Sequence, residues 1–373
     1  MKPWLVLALV ASLPSCSEPT EEPPPTDEWD DKLAERVVDY GAALRIAALR
    51  LTGELPSLAE LKQIAGAGGE TAQQAAYETV LRQYMAGPRF ARQMFRFWQD
   101  TLKMGDAPEL DSAPAFIARL AVEERSFLEV FTASSGTCPG FDPQTGAFTA
   151  GNCNNTPLTV GLLTHPGMQA HFFGNFGFRR VRWVQETFAC TAFPAEISTA
   201  ATDVGGTAPY TGTFAFTSIA GAATGGRVDF RDTSSVICAN CHSNMNHIAP
   251  LFAFYDQQGA LQGQMAVPTP LADAPPAAMT DYLPPGEGLA WRAGVPLTDM
   301  HSLGMVMAKD PDIAACAIAR LWNWALGKLD IVDGSVRVPT ATIERQIAAF
   351  EANGYRLRAA LFDIFTSDDF IRF

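Results

Sequence analysis

The sequence predicts a mainly α fold, a multi-helix assembly, and three observations carry that expectation. Apolar residues recur at helical spacing in one segment after another. Helix-start and helix-stop chemistry brackets those segments, as in Ser57-Leu-Ala-Glu60, Gly87-Pro88, Asp310-Pro311 and Gly327. No run of alternating apolar and polar residues is convincing as a sheet.

The elements follow in chain order. Trp29 to Leu51 is expected as one helix, with Leu33, Val37, Leu44, Ala48 and Leu51 on one stripe, ended by Gly53 and Pro56. Ser57 and Glu60 form a capping box for a second helix carrying Leu61 and Ile64. A third runs from Thr71 to Met85. Pro88 suits the first turn of a fourth, with Phe90, Met94, Phe97, Trp98 and Leu102. Pro114 to Phe131 is expected as a fifth. These aromatic and methionine stripes read as core rather than as a cofactor wall. Cys138 to Thr156 is expected as loop, and Leu158 to Leu163 as a short strand or a helix start. Arg179 to Cys190 reads as a helix. Ala200 to Gly226 is Gly/Thr/Ala-rich and reads as a long loop, with a small hairpin as the alternative. Pro268 to Pro285 is irregular. Helices are then expected over Met300–Ala308, Asp310–Leu326, Thr342–Ala352 and Tyr355–Phe365, with a final turn opening at Ser367.

The N-terminus carries targeting chemistry. Lys2 supplies a positive start and Trp4 to Leu13 is apolar but too short to span a bilayer. Leu13-Pro14-Ser15-Cys16 looks like the lipobox of bacterial lipoproteins. Residues 1–15 are then a signal peptide and Cys16 carries lipid. Residues 16–31 follow as an acidic, Pro-rich tether unable to bury a core. Ser17 favours sorting to the outer membrane, facing the periplasm or the cell surface. Membrane contact is expected through the lipid anchor only. The chain has 373 residues, 47% of them apolar, and a net charge of −13. That acid excess argues against nucleic acid as a partner and suits docking to a basic protein.

The stretch that carries chemistry is Cys238-Ala-Asn-Cys241-His242, the spacing of a c-type haem attachment site. Each thiol adds to one vinyl group on one edge of the porphyrin, and a two-residue gap on a helical turn places both there. The following His242 projects a neutral imidazole nitrogen to the iron. Three other readings compete: half of a zinc site with His247 as a further ligand, a thioredoxin-type dithiol, and a structural disulfide. No second cysteine pair stands at finger spacing and no βαβ pattern surrounds the motif. The remaining cysteines fit an exported protein. Cys138 and Cys153 flank a short loop and read as a disulfide, while Cys190 and Cys316 either pair or stay as buried thiols.

The sixth iron position is open among several residues. Met245 and His247 lie too close to His242 to reach the opposite haem face. Met279, Met300, His301, Met305 and Met307 are the downstream candidates, with Met305, His301 and Met279 put forward. His165 and His171 are the upstream ones. Arg179, Arg180 and Arg182 are candidates for the haem propionates, against the plainer reading of a solvated basic helix face.

Six stretches in order resemble the planctomycete-cytochrome-type family of exported proteins. They are ALRLTGELPSLAELKQI, AGPRFARQMFRFWQDTL, GLLTHP with RRVRWVQETFAC, CANCHSNMNHIAPLFAFYDQQG, DIAACAIARLWNWALGK and FEANGYRLRAALFDIFTSDDFIRF, covering most of residues 37–373. The resemblance implies one covalent haem c on Cys238, Cys241 and His242, and recurring positions for Cys190 and Cys316. It implies no substrate. The chain departs from the family after Cys190, where a proline run is missing, and at Asn246-His247, where an Asp-Pro-like pair is usual. The expected divisions are a helical domain over 32–135, a disulfide loop, helix and connector over 136–235, and a cytochrome c-like haem module with C-terminal helices over 236–373. The function expected is electron transfer to a redox partner protein by an exported, lipid-anchored cytochrome, rather than stand-alone catalysis. The alternatives are a haem-dependent oxidase or peroxidase, or the electron-accepting subunit of an exported dehydrogenase, and a non-redox scaffold with structural or metal-binding Cys238 and Cys241.

Overall fold

A computed structural model of the protein describes residues 28–153, 156–193, 230, 241–242, 244–267, 275–283, 286–331 and 336–373. The fold is mainly α, as the periodicity predicts. The chain divides into two units, Met1–Val37 and Val38–Phe373. The first contributes helix α1 (Glu28–Ala34). The expected signal peptide, lipobox and most of the expected tether lie outside the described residues. The tether's last residues, 28–31, are helical rather than extended.

The single helix expected over Trp29–Leu51 is two. Helix α2 (Tyr40–Thr52) starts anew because Asp39 is extended and its side chain accepts the Ala42 N–H at 2.8 Å. Val38 pairs with Arg372, and the Asp39 N–H donates to the Ile371 carbonyl. A contact more than 330 residues away in sequence thus sets this boundary. The expected stripe splits with the helix: Leu44, Ala48 and Leu51 are buried, whereas Leu33 and Val37 are 52% and 66% exposed.

The next elements obey local rules. Gly53 ends α2 in the left-handed region, where a residue without Cβ is at no disadvantage. Ser57 and Glu60 make the reciprocal capping box of α3 (Leu58–Ala65). Helices α4 (Glu70–Ala86) and α5 (Pro88–Leu102) follow, the latter with Pro88 in its first turn. The helix expected over Pro114–Phe131 is displaced. Helix α6 spans Pro108–Val122 with Pro114 inside it, and a separate short α7 covers Glu129–Thr132. Glu124, at φ 55°, breaks the run, and the Phe127 N–H turns to the Tyr355 carbonyl at 2.8 Å.

Within the disulfide loop lies a small hairpin that the loop reading missed: β1 (Gly140–Asp142) pairs antiparallel with β2 (Ala147–Thr149). Its turn, Asp142 to Gly146, was legible as turn chemistry. Asp142 accepts from the Gln144 N–H and the Thr145 hydroxyl. Phe141 carries the hairpin onto Phe95 of α5, with ring centroids 4.5 Å apart. Leu158–Leu163 gives a 3-10 turn at Gly161–Thr164 that leads into α8 (Pro166–His171). Helix α9 spans Phe178–Phe188. Downstream lie α10 (Ala249–Ala253), α11 (Met279–Tyr282), the two-residue pair β3 (Ala290–Trp291) and β4 (Val295–Pro296), and α12 (Met300–Met307). Helices α13 (Pro311–Ala325), α14 (Glu344–Ala352), α15 (Leu357–Phe365) and α16 (Asp368–Ile371) close the chain. The Gly/Thr/Ala-rich stretch 200–226, with its alternative hairpin, lies outside the described residues.

One core cluster runs from Tyr40 to Ile371, so the expected divisions at 135 and 235 fall inside one packed unit. The C-terminal helices complete the N-terminal ones. Tyr77 of α4 donates to the Phe365 carbonyl at 2.7 Å, and Trp324 of α13 lies 5.4 Å from Phe97 of α5. Gly304 of α12 is needed where that helix crosses α7. A Cβ there would stand 2.2 Å from the Phe131 carbonyl oxygen and 2.8 Å from Val160. Gly304→Ala is therefore expected to lower stability by about 2 kcal/mol in urea unfolding, because backbone has to move to admit one methyl. A shift below about 0.5 kcal/mol would show that α12 is not closely docked.

Candidate functional site

Of the Cys238-Ala-Asn-Cys241-His242 stretch, Cys241 and His242 are described, and Cys238 lies outside the described residues. Cys241, His242, Asn244 and Met245 are helical, and the Asn246 N–H donates to the His242 carbonyl at 3.1 Å. Helix α9 and α11 wall this turn. The Phe178 ring meets the His242 ring edge-on at 4.6 Å, and Phe230 lies parallel to it, 5.9 Å away at 7°. Tyr282 of α11 packs on both Phe178 and Phe230 and donates to the Phe176 carbonyl at 2.8 Å. Gln185 of α9 donates to the Asn244 side chain at 2.8 Å. Gly177, at φ 91°, starts α9 where a Cβ would come within 3.0 Å of the Ala249 carbonyl oxygen, so α9 and α10 meet closely.

The protonation of His242 follows from its neighbours. The Asn246 amide nitrogen donates to the Phe230 carbonyl at 2.7 Å, which turns the amide oxygen toward His242 Nδ1 at 2.8 Å. A carbonyl oxygen only accepts, so Nδ1 carries the hydrogen and the lone pair stands on Nε2. Burial lowers the His242 pKa, against the opposing effect of the Asn246 bond, and favours the neutral ring. A neutral imidazole with Nδ1–H held by an oxygen acceptor is the form a haem iron takes, and Cys241 precedes it in the same helical turn. The residues present therefore fit a c-type haem in donor chemistry.

His247 turns to another partner, Glu287, with Nε2 at 3.3 Å from the carboxylate. Burial pushes the Glu287 carboxyl up. Among the described residues no three His, Cys, Asp or Glu side chains gather as a metal cluster. Strands among the described residues pair only antiparallel, with no βαβ unit.

The distal candidates separate by place. His301 and Met305 stand exposed on α12, with Met305 40% exposed. Met300 and Met307 of the same helix are core residues. Met279, 38% exposed, is on α11, the helix that supplies Tyr282 to the wall.

Arg180 is not on a solvated basic face. It is fully buried, and its five N–H groups go to the carbonyls of Gln169, Phe252, Tyr255 and Asp256. It ties the end of α8 to the end of α10 and has no donor left for a propionate. Arg182 pairs with Glu186 one turn on, and Arg179 lies over the Phe172 ring. Sequence reading missed the buried role of Arg180 because charge at helical spacing looks the same on either face. Gln185 and Asn246 were missed as well, although the four-residue spacing from His242 to Asn246 on one helical turn was visible.

His165 is a cap rather than an iron ligand. Its Nδ1 accepts the Met168 N–H at the start of α8, which leaves the hydrogen on Nε2, 3.1 Å from the Ser112 hydroxyl. That tautomer donates to Ser112 and cannot take its proton, so the pair is not a nucleophile and base. Complete burial drives the His165 pKa down from 6.5 to about 4. The unfolded chain then binds more protons than the folded one between those values, so stability falls as pH drops from about 6.5 toward 4. The expected loss is about 3 kcal/mol from this group. In His165→Asn, which keeps an acceptor at the cap, that part of the slope is expected to vanish; an unchanged acid profile would rule it out.

Both remaining cysteine pairs are disulfides. Cys138 joins Cys153 around the hairpin, and Cys190 joins Cys316, which settles the alternative left open between pairing and buried thiols. Among the described residues no helix is long and apolar enough to cross a membrane. No protein-family model, no curated protein and no solved structure matches the chain.

Proposed function

We propose that the protein is an exported, lipid-anchored c-type cytochrome-like protein that carries one covalent haem on Cys238 and Cys241, with His242 as iron ligand, and transfers electrons to a redox partner. The observation that carries this reading is the Asn246 amide, whose nitrogen donates to the Phe230 carbonyl and whose oxygen stands 2.8 Å from His242 Nδ1, the arrangement that favours a proton on Nδ1 and a lone pair on Nε2. The bound group would supply one-electron exchange at its iron. The chain's own residues keep the ring neutral, cover it with Phe178 and Phe230, and hold the turn through Gln185 and Asn244. Met279 is the first distal residue to vary, because its helix also forms the wall. The six stretches that resemble the planctomycete-cytochrome-type family support the same reading, as do two disulfides suited to an exported chain. An excess of 40 acidic over 27 basic side chains suits docking to a basic partner. Cys16 and the acidic tether are taken as the outer-membrane anchor.

The test is the reduced-minus-oxidised visible spectrum after export in a host with haem-attachment machinery. A sharp c-type α-band is expected in the parent and absent in Cys238→Ala/Cys241→Ala. A folded, exported parent with no haem band would sink the reading and leave a structural or metal-binding cysteine pair.

A further inference from the structure

We infer that Asn246 is a positioning residue for His242, setting its tautomer, its ring orientation and, through them, the electron density it gives to an iron. The inference rests on the haem reading above for its redox consequence, and on geometry alone for its structural part.

Asn246 is 0% exposed, and an amide in that position needs its donor and its acceptor paired. Its nitrogen finds the Phe230 carbonyl at 2.7 Å and its oxygen finds His242 Nδ1 at 2.8 Å. The reverse orientation would set amide N–H against a histidine nitrogen and leave carbonyl facing carbonyl. Phe230 is itself held, its N–H donating to the carbonyl of Asp281, within α11, at 2.8 Å. The same residue stacks its ring parallel to His242. Phe230 thus fixes the plane of the imidazole with its ring and the direction of the amide with its carbonyl. The backbone bond from Asn246 N–H to the His242 carbonyl fixes the spacing between the two side chains.

This chain of contacts runs from α11 through Phe230 and Asn246 to His242. An acceptor on Nδ1–H makes the imidazole a stronger donor at Nε2, and a stronger acceptor makes it stronger still. A side-chain amide is an acceptor of intermediate strength, and it can be changed without touching the backbone.

The experiment compares the holo full-length protein with Asn246→Asp and Asn246→Leu by midpoint potential. Asn246→Asp is expected to shift the potential in the negative direction, because a carboxylate accepts more strongly. Asn246→Leu, which accepts nothing, is expected to shift it in the positive direction. Three coincident potentials, with haem attached in all, would overturn the inference. Because buried variants sometimes fail to fold, the unaltered chain exported without haem-attachment machinery gives an independent reading. Nitrogen-15 NMR of its His242 ring is expected to show the Nδ1–H form, and an Nε2–H form would overturn the inference. A chain that never takes up haem yet shows the Nδ1–H form would sink the haem reading and leave the positioning role of Asn246 standing.

Discussion

Replacing Arg180 with methionine is expected to lower the unfolding free energy by about 4 kcal/mol, the cost of leaving a set of buried acceptors without a donor. Methionine keeps the apolar stem and removes all five N–H groups. The carbonyls of Gln169 and Tyr255 then lose their donor in the interior, whereas those of Phe252 and Asp256 lose the charged donor but keep the Tyr255 and Gly259 N–H groups. Gln169 lies in the last turn of α8 and Tyr255 two residues past α10, so one guanidinium serves the ends of two helices. Burial pulls the Arg180 pKa down to about 10, so the group stays charged at neutral pH and its bonds stay charge-assisted. Lysine would not substitute, since three donors on a point charge cannot reach four carbonyls in a fork. Urea midpoints should therefore fall for Arg180→Lys too, by less than for Arg180→Met. A loss under about 1 kcal/mol for methionine would mean that the two helix ends find other partners. Because Phe178 is two residues from Arg180 on α9, the clamp also holds the ring that covers His242.

Removing the second disulfide as Cys190→Ala/Cys316→Ala is expected to cost about 4 kcal/mol. The bridge closes a sequence separation of 126, for which loop entropy alone amounts to about 5 kcal/mol in the unfolded chain. An opposing contribution comes from Cys190, held at φ 51° in the left-handed region, where a side chain costs about 1 kcal/mol. The folded structure near the bridge is otherwise well tied. Arg320 donates to the Thr187 carbonyl at 3.0 Å and the Glu186 carbonyl at 2.8 Å, so the end of α9 stays on α13 without the sulfurs. The variant should accordingly fold to the same structure with a lower midpoint in urea. A loss of fold rather than of midpoint would show that the bridge, not Arg320, docks α9. A loss under about 1 kcal/mol would show that the unfolded chain is compact enough to make the cross-link nearly neutral.

Local chemistry was legible in the sequence. The capping box at Ser57 and Glu60, the Pro88 and Asp310-Pro311 helix starts and the left-handed Gly53 stop each act within a few residues, and each is found where it was read. The short cysteine pair, Cys138 with Cys153, was legible for the same reason: its loop is closed by chain proximity alone. The mainly α character followed from periodicity that many segments share. At the site, the spacing of Cys238, Cys241 and His242 carried the haem expectation, and Cys241 and His242 are helical, as the expected placement on a helical turn requires of them.

Tertiary structure decided what depends on partners distant in sequence. The first long helix breaks at Val38 because Arg372 pairs with it, and no local residue pattern announces that. Arg180 is buried because carbonyls 72 to 76 residues downstream accept from it, whereas its own helix reads as basic and solvated. His165 is neutral because its surroundings exclude water, and Cys190 finds Cys316 because α9 lies on α13. The tautomer of His242 is the same kind of fact. Its spacing to Asn246 is written in the sequence, but the amide takes its direction from the Phe230 carbonyl 16 residues upstream, and only packing brings that oxygen there. Sequence alone determined which residues can donate, accept or cap; the fold determined which atom each one faces, because burial and long-range contact set the free energy of every alternative.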